Sequence, residues 1–257
     1  MPIAELSSVR LHYQIEGAAN APLLVLIHSL GTDLSMWNGV AVNLSRDYRI
    51  LRFDLRGHGG SSVPPGPWQL ADFGKDLLAL LEALDLTGVD LAGTSLGGMI
   101  AMWLVIHAAN RAGRIILANT AARIGTHDGW QARISQVVSM GMAQVAEGAA
   151  ERWFTHAFRQ SHPKEVAGLT RLLSSCSPEG YVASCAALRD ADLSRDLPAI
   201  QVPALIVTGA CDPVTTPDDG RRLEQGIAGA QYVELQAAHL CAAELPEQFS
   251  SAVRAFL

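Results

Sequence analysis

Three residues far apart in the chain have the side chains that acyl transfer needs: Ser95, Asp212 and His239. A serine hydroxyl is a poor nucleophile until a base takes its proton. An imidazole serves as that base when an acid fixes its tautomer and orientation. Ser95 lies in Gly93-Thr94-Ser95-Leu96-Gly97-Gly98, where an apolar run ends and a helical pattern begins. A serine flanked by glycines at a strand-to-helix junction sits on a turn so tight that its hydroxyl is exposed. Bulk at positions 93 and 97 would clash with the strand or the helix, which accounts for the two glycines. Leu96 opens the helix, so its backbone N–H has no partner within that helix. A free N–H beside the nucleophile suits a developing oxyanion.

Asp212 falls three residues past Gly209 and His239 four past Leu235, each just after a late apolar run. Sites in open parallel sheets form where strands end at their carboxyl edge, and this selects the pair. Asp218 and Asp219 are weaker candidates, because carboxylates at a helix start stabilise its dipole. His12, His107, His127, His156 and His162 lie away from strand ends or in a helical stretch, and are read as packing or surface residues because ligand or catalytic use requires convergent partners. The loop His28-Ser29-Leu30-Gly31 follows an early apolar run and offers the backbone N–H of Leu30 as a second oxyanion donor. Within it, His28 and Gly31 shape the turn. Asp54, Arg56 and His58 form a polar cluster without a nucleophile, and are read as a hydrogen-bonded loop that braces the site.

The elements that position these residues follow from periodicity. Segment 9–16 alternates apolar and polar residues, as a half-buried strand does. Segment 23–27 is a continuous apolar run, suited to a strand covered on both faces; 114–118 reads as a further short buried strand, and 49–53, 89–93, 204–209 and 231–235 read as strands. Helical patterns at about 36–44, 70–84, 96–107, 217–225 and 244–257 lie between or after them. Strand–helix alternation predicts an α/β fold with a mostly parallel sheet flanked by helices. From about 121 to 195 the alternation stops. Helical patterns at 130–142, 146–158, 164–173 and 178–188 read as an inserted lid. The expected division is a core of 1–120 and 196–257, with a helical cap of 121–195.

Composition narrows the function. The chain has 257 residues, 49% hydrophobic and 17% charged, with a formal net charge of −6. This describes a globular domain with a large core and no basic stripe for nucleic acid. No apolar run reaches membrane-spanning length. The start Met1-Pro2-Ile3-Ala4 carries no basic-then-apolar signal pattern, so a cytoplasmic location is expected. Cys176, Cys185, Cys211 and Cys241 have neither Cys-x-x-Cys nor zinc spacing. Cys211 and Cys241 flank the proposed acid and base, so either is a candidate to line the site. Nothing in the sequence bears on oligomeric state.

The motifs 28–31, Asp54-Leu55-Arg56-Gly57-His58-Gly59, Gly93-Thr94-Ser95-Leu96-Gly97-Gly98, Asp212 and His239 together resemble the α/β-hydrolases over the whole chain. The chain order Ser, Asp, His is the order of that fold. Within the superfamily, Asn119-Thr120-Ala121-Ala122-Arg123-Ile124-Gly125, Trp130 and Arg152-Trp153-Phe154-Thr155 are similar to the 3-oxoadipate enol-lactonases. Ala238-His239-Leu240 departs from the Gly-His pair common in the superfamily. The resemblance implies a serine hydrolase that opens a small carboxylated lactone through an acyl-enzyme, with no metal or organic cofactor. Arg133 and Arg152 are then candidates to pair with the substrate carboxylate, with Trp130 and Trp153 as apolar walls. A carboxylesterase, a C–C bond hydrolase of ring-fission products and a non-catalytic small-molecule receptor are the alternatives on the same fold.

Overall fold

A computed structural model describes residues 2–257. Eight strands form one sheet: β1 (Ile3–Glu5), β2 (Arg10–Glu16), β3 (Leu23–Ile27), β4 (Arg49–Phe53), β5 (Val89–Thr94), β6 (Ala112–Ala118), β7 (Ala204–Gly209) and β8 (Gln231–Leu235). Their order is β1-β2-β4-β3-β5-β6-β7-β8. The first two pairings, β1 with β2 and β2 with β4, are antiparallel. The rest are parallel. The inner strands β3, β5, β6 and β7 are buried over nearly their full length, as apolar runs covered on both faces require. β1 was not expected: three residues with one buried position carry no readable period.

Helices α1 (Asn38–Leu44), α2 (Leu70–Ala83), α3 (Leu96–His107) and, later in the chain, five more between β6 and β7 connect the strands. α3 is apolar on every side because it is enclosed on every side: residues 96–105 are all buried. It packs on β5 and β6 and against α2. α2 turns Leu70, Phe73, Leu77, Leu80 and Leu81 inwards, each worth about 1.5–3 kcal/mol of burial. A Cβ at Gly74 would lie 1.8 Å from the Trp103 ring, so glycine there permits the α2–α3 contact. A capping box between Gln69 and Asp72 starts α2.

The stretch between β6 and β7 holds helices and no strand among the described residues: α4 (His127–Ala146), α5 (Ala149–Trp153), α6 (His156–Ser161), α7 (Pro163–Ser175) and α8 (Pro178–Asp190). These helices pack mainly on one another, α4 against α8 and α7. Two boundaries differ from expectation. α4 is broken at Gly141, whose φ of 77° and ψ of 176° are not helical. The pattern at 146–158 is two helices, because Gly148 is left-handed and Phe154 and Thr155 are extended. The chain then closes with α9 (Pro217–Gly226), a short α10 (Cys241–Glu244) and α11 (Pro246–Phe256). No helix among the described residues is long and apolar enough to cross a membrane.

Candidate active site

Ser95 stands at the C-terminal end of β5, in the middle of the sheet, with φ 57° and ψ −116°. A non-glycine residue at positive φ is strained, and such strain gathers at functional sites. Four contacts hold it. Its N–H donates to Ala118 O at 3.0 Å. Its carbonyl accepts from the Thr120 hydroxyl at 2.7 Å and from Gly98 N at 2.9 Å and Met99 N at 3.2 Å. The flanking glycines are required by close approach: a Cβ at Gly93 would lie 2.2 Å from Gly97 O, and one at Gly97 would lie 2.2 Å from Ile27 O. Strand, turn and helix therefore pack backbone to backbone.

Asp212 and His239 come from the loops after β7 and β8. Those loops are joined through Ala210 N to Leu235 O at 2.8 Å and Cys211 N to Ala237 O at 2.9 Å. His239 Nδ1 lies 2.8 Å from Asp212 Oδ2. A carboxylate only accepts, so Nδ1 carries the proton and Nε2 is left as the acceptor. Ser95, Asp212 and His239 are 5%, 4% and 3% exposed. Asp212 also accepts from Val214 N (2.7 Å), Thr215 N (3.1 Å), the Thr215 hydroxyl (2.8 Å) and Asn119 Nδ2 (2.9 Å). Burial opposes its ionisation, but His239 and these donors outweigh burial and hold its pKa below the usual carboxylate value.

Asn119 was not singled out as a site residue from the sequence. It sits directly after β6, at positive φ (42°) and fully buried. Its amide donates to Asp212 and, at 3.1 Å, to the carbonyl of Ala238, the neighbour of His239. The signal was its place at the same sheet edge as Ser95.

The loop carrying Leu30 is set by two imidazoles. Leu55 N–H donates to His28 Nε2 at 2.9 Å, so His28 Nδ1 bears the proton and donates to Ser29 O at 2.8 Å. Gly31 N–H donates to His58 Nε2 at 3.1 Å, and His58 Nδ1 donates to Arg56 O at 3.0 Å. Both nitrogens of each ring are thus used in the neutral form. Burial lowers the pKa of both: His28 below its ordinary value, and His58, next to His28, down to about 3. The polar cluster at 54–58 divides its work. Asp54 accepts from Leu34 N and Gly60 N and pairs with His12, at 2.8, 2.8 and 2.6 Å. Arg56 pairs with buried Asp76 at 2.6 Å. Of these three side chains, His58 is the one that bonds the Leu30 loop.

One cavity of about 130 Å³ collects the remaining candidates. Ser29, Leu30, Ser95, Val214 and His239 line it from the sheet side. Ile124, Trp130, Arg133, Arg152, Trp153, Leu173 and Tyr181 line it from the helical side. Asp212 lies behind His239, and fully buried Leu96 presents no side chain to the cavity; its place at the first position of α3 leaves its N–H without an i−4 partner. Arg133 and Arg152 make no ion pair among the described residues. Burial and the charge of Arg133 lower the Arg152 pKa from its ordinary value. Burial raises the pKa of the Tyr181 hydroxyl, opposed by the nearby charges of Arg133 and Arg152. Leu173 and Tyr181 were not foreseen, because α7 and α8 bring them in through tertiary packing.

Neither Cys211 nor Cys241 lines this cavity, contrary to expectation. Cys211 is exposed, and Cys241 is fully buried with its thiol pKa raised by burial. Asp219 caps α9, as its place at a helix start indicated. Among the described residues no group of three or more His, Cys, Asp or Glu is placed to hold a metal ion.

A family model described as alpha/beta hydrolase fold matches residues 22–148. The chain is 40% identical to 3-oxoadipate enol-lactonase 2 of Acinetobacter baylyi, over 97% of this chain and 93% of that protein. The chain belongs to the α/β-hydrolase family. It is also 38% identical to 3-oxoadipate enol-lactonase 1 of the same organism, over 93% of this chain and 90% of that one. Among solved structures, the enol-lactonase of Burkholderia xenovorans LB400 superposes with a TM-score of 0.97 at 40% identity, covering 99% of both chains. A thermophilic esterase from Thermogutta terrifontis superposes at 0.93 with 25% identity, covering 99% of this chain and 97% of that one. The eight-stranded, mostly parallel sheet is the sheet of this family of hydrolases.

Proposed function

We propose that this α/β-hydrolase opens 3-oxoadipate enol-lactone to 3-oxoadipate, with Ser95, His239 and Asp212 as its triad. The observation that carries the reading is a cavity at the sheet edge. It joins Ser95 and His239 to Arg133 and Arg152, which make no ion pair among the described residues. The similarity to enol-lactonases over nearly the whole chain supports the same substrate.

Ser95 Oγ attacks the lactone carbonyl while His239 Nε2 takes its proton. The oxyanion of the tetrahedral intermediate accepts from the N–H groups of Leu30 and Leu96. Collapse breaks the ring C–O bond and expels the enolate, which stays tethered to the acyl group. The proton on His239 returns to it, giving the ketone and an acyl-enzyme. His239 then takes a proton from water, hydroxide adds to the ester carbonyl, and Ser95 leaves with that proton. Asp212 steadies the imidazolium at both stages. No redox step or external electrophile enters.

The free carboxylate of the lactone pairs with Arg133 and Arg152, and Trp130 and Trp153 close the apolar sides. Charge-assisted, bidentate pairing gives arginine both strength and direction here. A cavity of about 130 Å³ suits a single small ring and disfavours bulky aryl substrates. Residues 121–195 act as the cap over a core of 1–120 and 196–257.

Turnover of 3-oxoadipate enol-lactone by purified protein tests the proposal, beside aryl esters and vinylogous diketones. Fast opening of the lactone that Ser95→Ala abolishes is the expected result. Strong turnover of the diketones alone would reject it in favour of C–C bond hydrolysis. No turnover of any, with no labelling by a covalent serine probe, would favour a binding role.

A further inference from the structure

Glu244 is a buried carboxylate, 5% exposed, at the end of α10, and it makes no ion pair among the described residues. Carboxylates are rarely buried without a purpose for the charge or its hydrogen bonds. All its partners are donors, and they come from two places. Ala238 N–H, next to His239, donates to Oε2 at 2.9 Å. Thr155, between α5 and α6, donates through its N–H to both oxygens at 3.2 and 3.3 Å, and its hydroxyl donates to Oε1. On the other side of His239, Leu240 N–H donates to Trp153 O at 3.0 Å. The backbone N–H groups of both residues adjacent to His239 are therefore tied to the segment 153–155, Leu240 directly and Ala238 through Glu244. Trp153 in turn lines the cavity.

We infer that Glu244 is a positioning residue. It fastens the loop bearing His239 to the 153–155 segment, so the base is in register with Ser95 only while that segment is docked. The inference rests on His239 being the base. Its physical ground is that an imidazole must meet the serine within a few tenths of an ångström, and a displacement of about 1 Å costs on the order of a hundredfold in rate. Asp212 fixes one nitrogen of the ring, but a ring held at one atom still pivots. The backbone on either side must be pinned as well. Asn119 pins Ala238 at its carbonyl from the sheet side; Glu244 and Trp153 pin the amides from the helical side.

The test begins with His239→Ala, followed by Glu244→Ala and Glu244→Gln, with kcat and KM on the lactone and melting temperature for each. Loss of turnover in His239→Ala supports the base assignment; retention would overturn that assignment and this inference together. With the base in place, Glu244→Ala is expected to lower kcat about 30-fold with KM changed less than threefold. Glu244→Gln should recover most of that loss. Its one carbonyl oxygen can accept from Ala238 N–H while its NH2 turns to the Thr155 hydroxyl oxygen. An unchanged kcat in Glu244→Ala would overturn the inference. So would a loss expressed wholly in KM, or one that Gln does not relieve at equal melting temperature. Should Glu244→Ala fail to fold, Thr155→Val cuts only the far end of the strap, beside Thr155→Ser, which keeps it. A fall of about fivefold in kcat for Val but not Ser is expected, and equal kcat in the two would refute it.

Discussion

On the sheet side of the cavity Ser95 sits in a turn fixed by backbone packing, whereas on the helical side the lining is made of side chains, half-buried at Trp130, Arg133 and Arg152 and buried at Trp153, Leu173 and Tyr181, on helices that pack mainly on one another. Gly93 and Gly97 bring strand and helix so close that a single added methyl would meet a carbonyl oxygen at 2.2 Å. Arg133, Arg152 and Trp130 are only partly buried, and α4, which carries two of them, is broken at Gly141. The contrast separates two tasks. Bond-making needs atoms placed within tenths of an ångström and so rests on main-chain packing. Selection needs charge and shape at one end of the substrate and tolerates a looser frame.

The largest effect should come from the sheet side. Asp212→Asn leaves the hydrogen-bonding shape but presents an amide to His239, so the imidazole no longer keeps its proton at Nδ1. A fall in kcat of about 10⁴-fold is expected, with little change in KM. A loss below tenfold would mean that His239 is held by Thr215 and Asn119 rather than by the acid.

Next in size is acid sensitivity. In the unfolded chain an imidazole takes up a proton near pH 6.5, but His58 in the fold resists until about pH 3. His28 is depressed in the same direction, chiefly by burial. Between those values the unfolded state holds more protons, so stability is full above pH 6.5 and falls as the pH drops. The slope reaches about 1.4 kcal/mol per pH unit for each ring. Urea unfolding at pH 7 and pH 4.5 should show His58→Gln losing less stability than the native protein, by about 2 kcal/mol. Equal losses would show that the Leu30 loop does not depend on a neutral ring.

The helical side predicts a smaller change that appears in binding. Arg152→Met keeps the bulk and removes the charge. For the carboxylated lactone, kcat/KM should fall about 100-fold, mostly through KM, as loss of a charge-assisted pair of about 1.5–3 kcal/mol implies. An uncharged lactone of the same ring should be turned over within threefold of the native rate. If both substrates suffer alike, the arginine shapes the cavity rather than recognising the carboxylate.

The two sides also differ in how readable they were. The inner strands announce themselves as apolar runs, and Ser95 and Asp212 stand just beyond two of them, while His239 follows the edge strand β8. Sheet order then brings those strand ends to one edge. The helical side carries weaker information. Gly148 and the extended pair Phe154-Thr155 divide one apparent helix into two, and neither breaks the apolar spacing. Tyr181 and Leu173 reach the cavity because α8 and α7 pack against α4, which no local pattern encodes. Asn119 escaped notice because a single buried amide has no period. Cys211 and Cys241 misled because adjacency in sequence to a reactive residue places a side chain on the opposite face of a loop as readily as on the same one.

The smallest effect sharpens the contrast most, since it compares like substitutions on the two sides. Gly141 has φ 77° and ψ 176°, with nothing within 4 Å of the position a Cβ would take. Gly141→Ala therefore meets no collision and costs the backbone strain of that glycine-favouring region, about 1–3 kcal/mol. A chain of this size should then lose about 2–4 °C in melting temperature for each kcal/mol, with kcat unchanged and KM within threefold. Gly97→Ala, by contrast, sets a methyl against Ile27 O and must separate α3 from β3. It should lower kcat by at least tenfold even where the protein still folds. Should Gly141→Ala depress kcat as deeply as Gly97→Ala, the break in α4 would belong to the frame that aligns the reacting atoms, and the division between a rigid chemical side and a tolerant selecting side would be wrong.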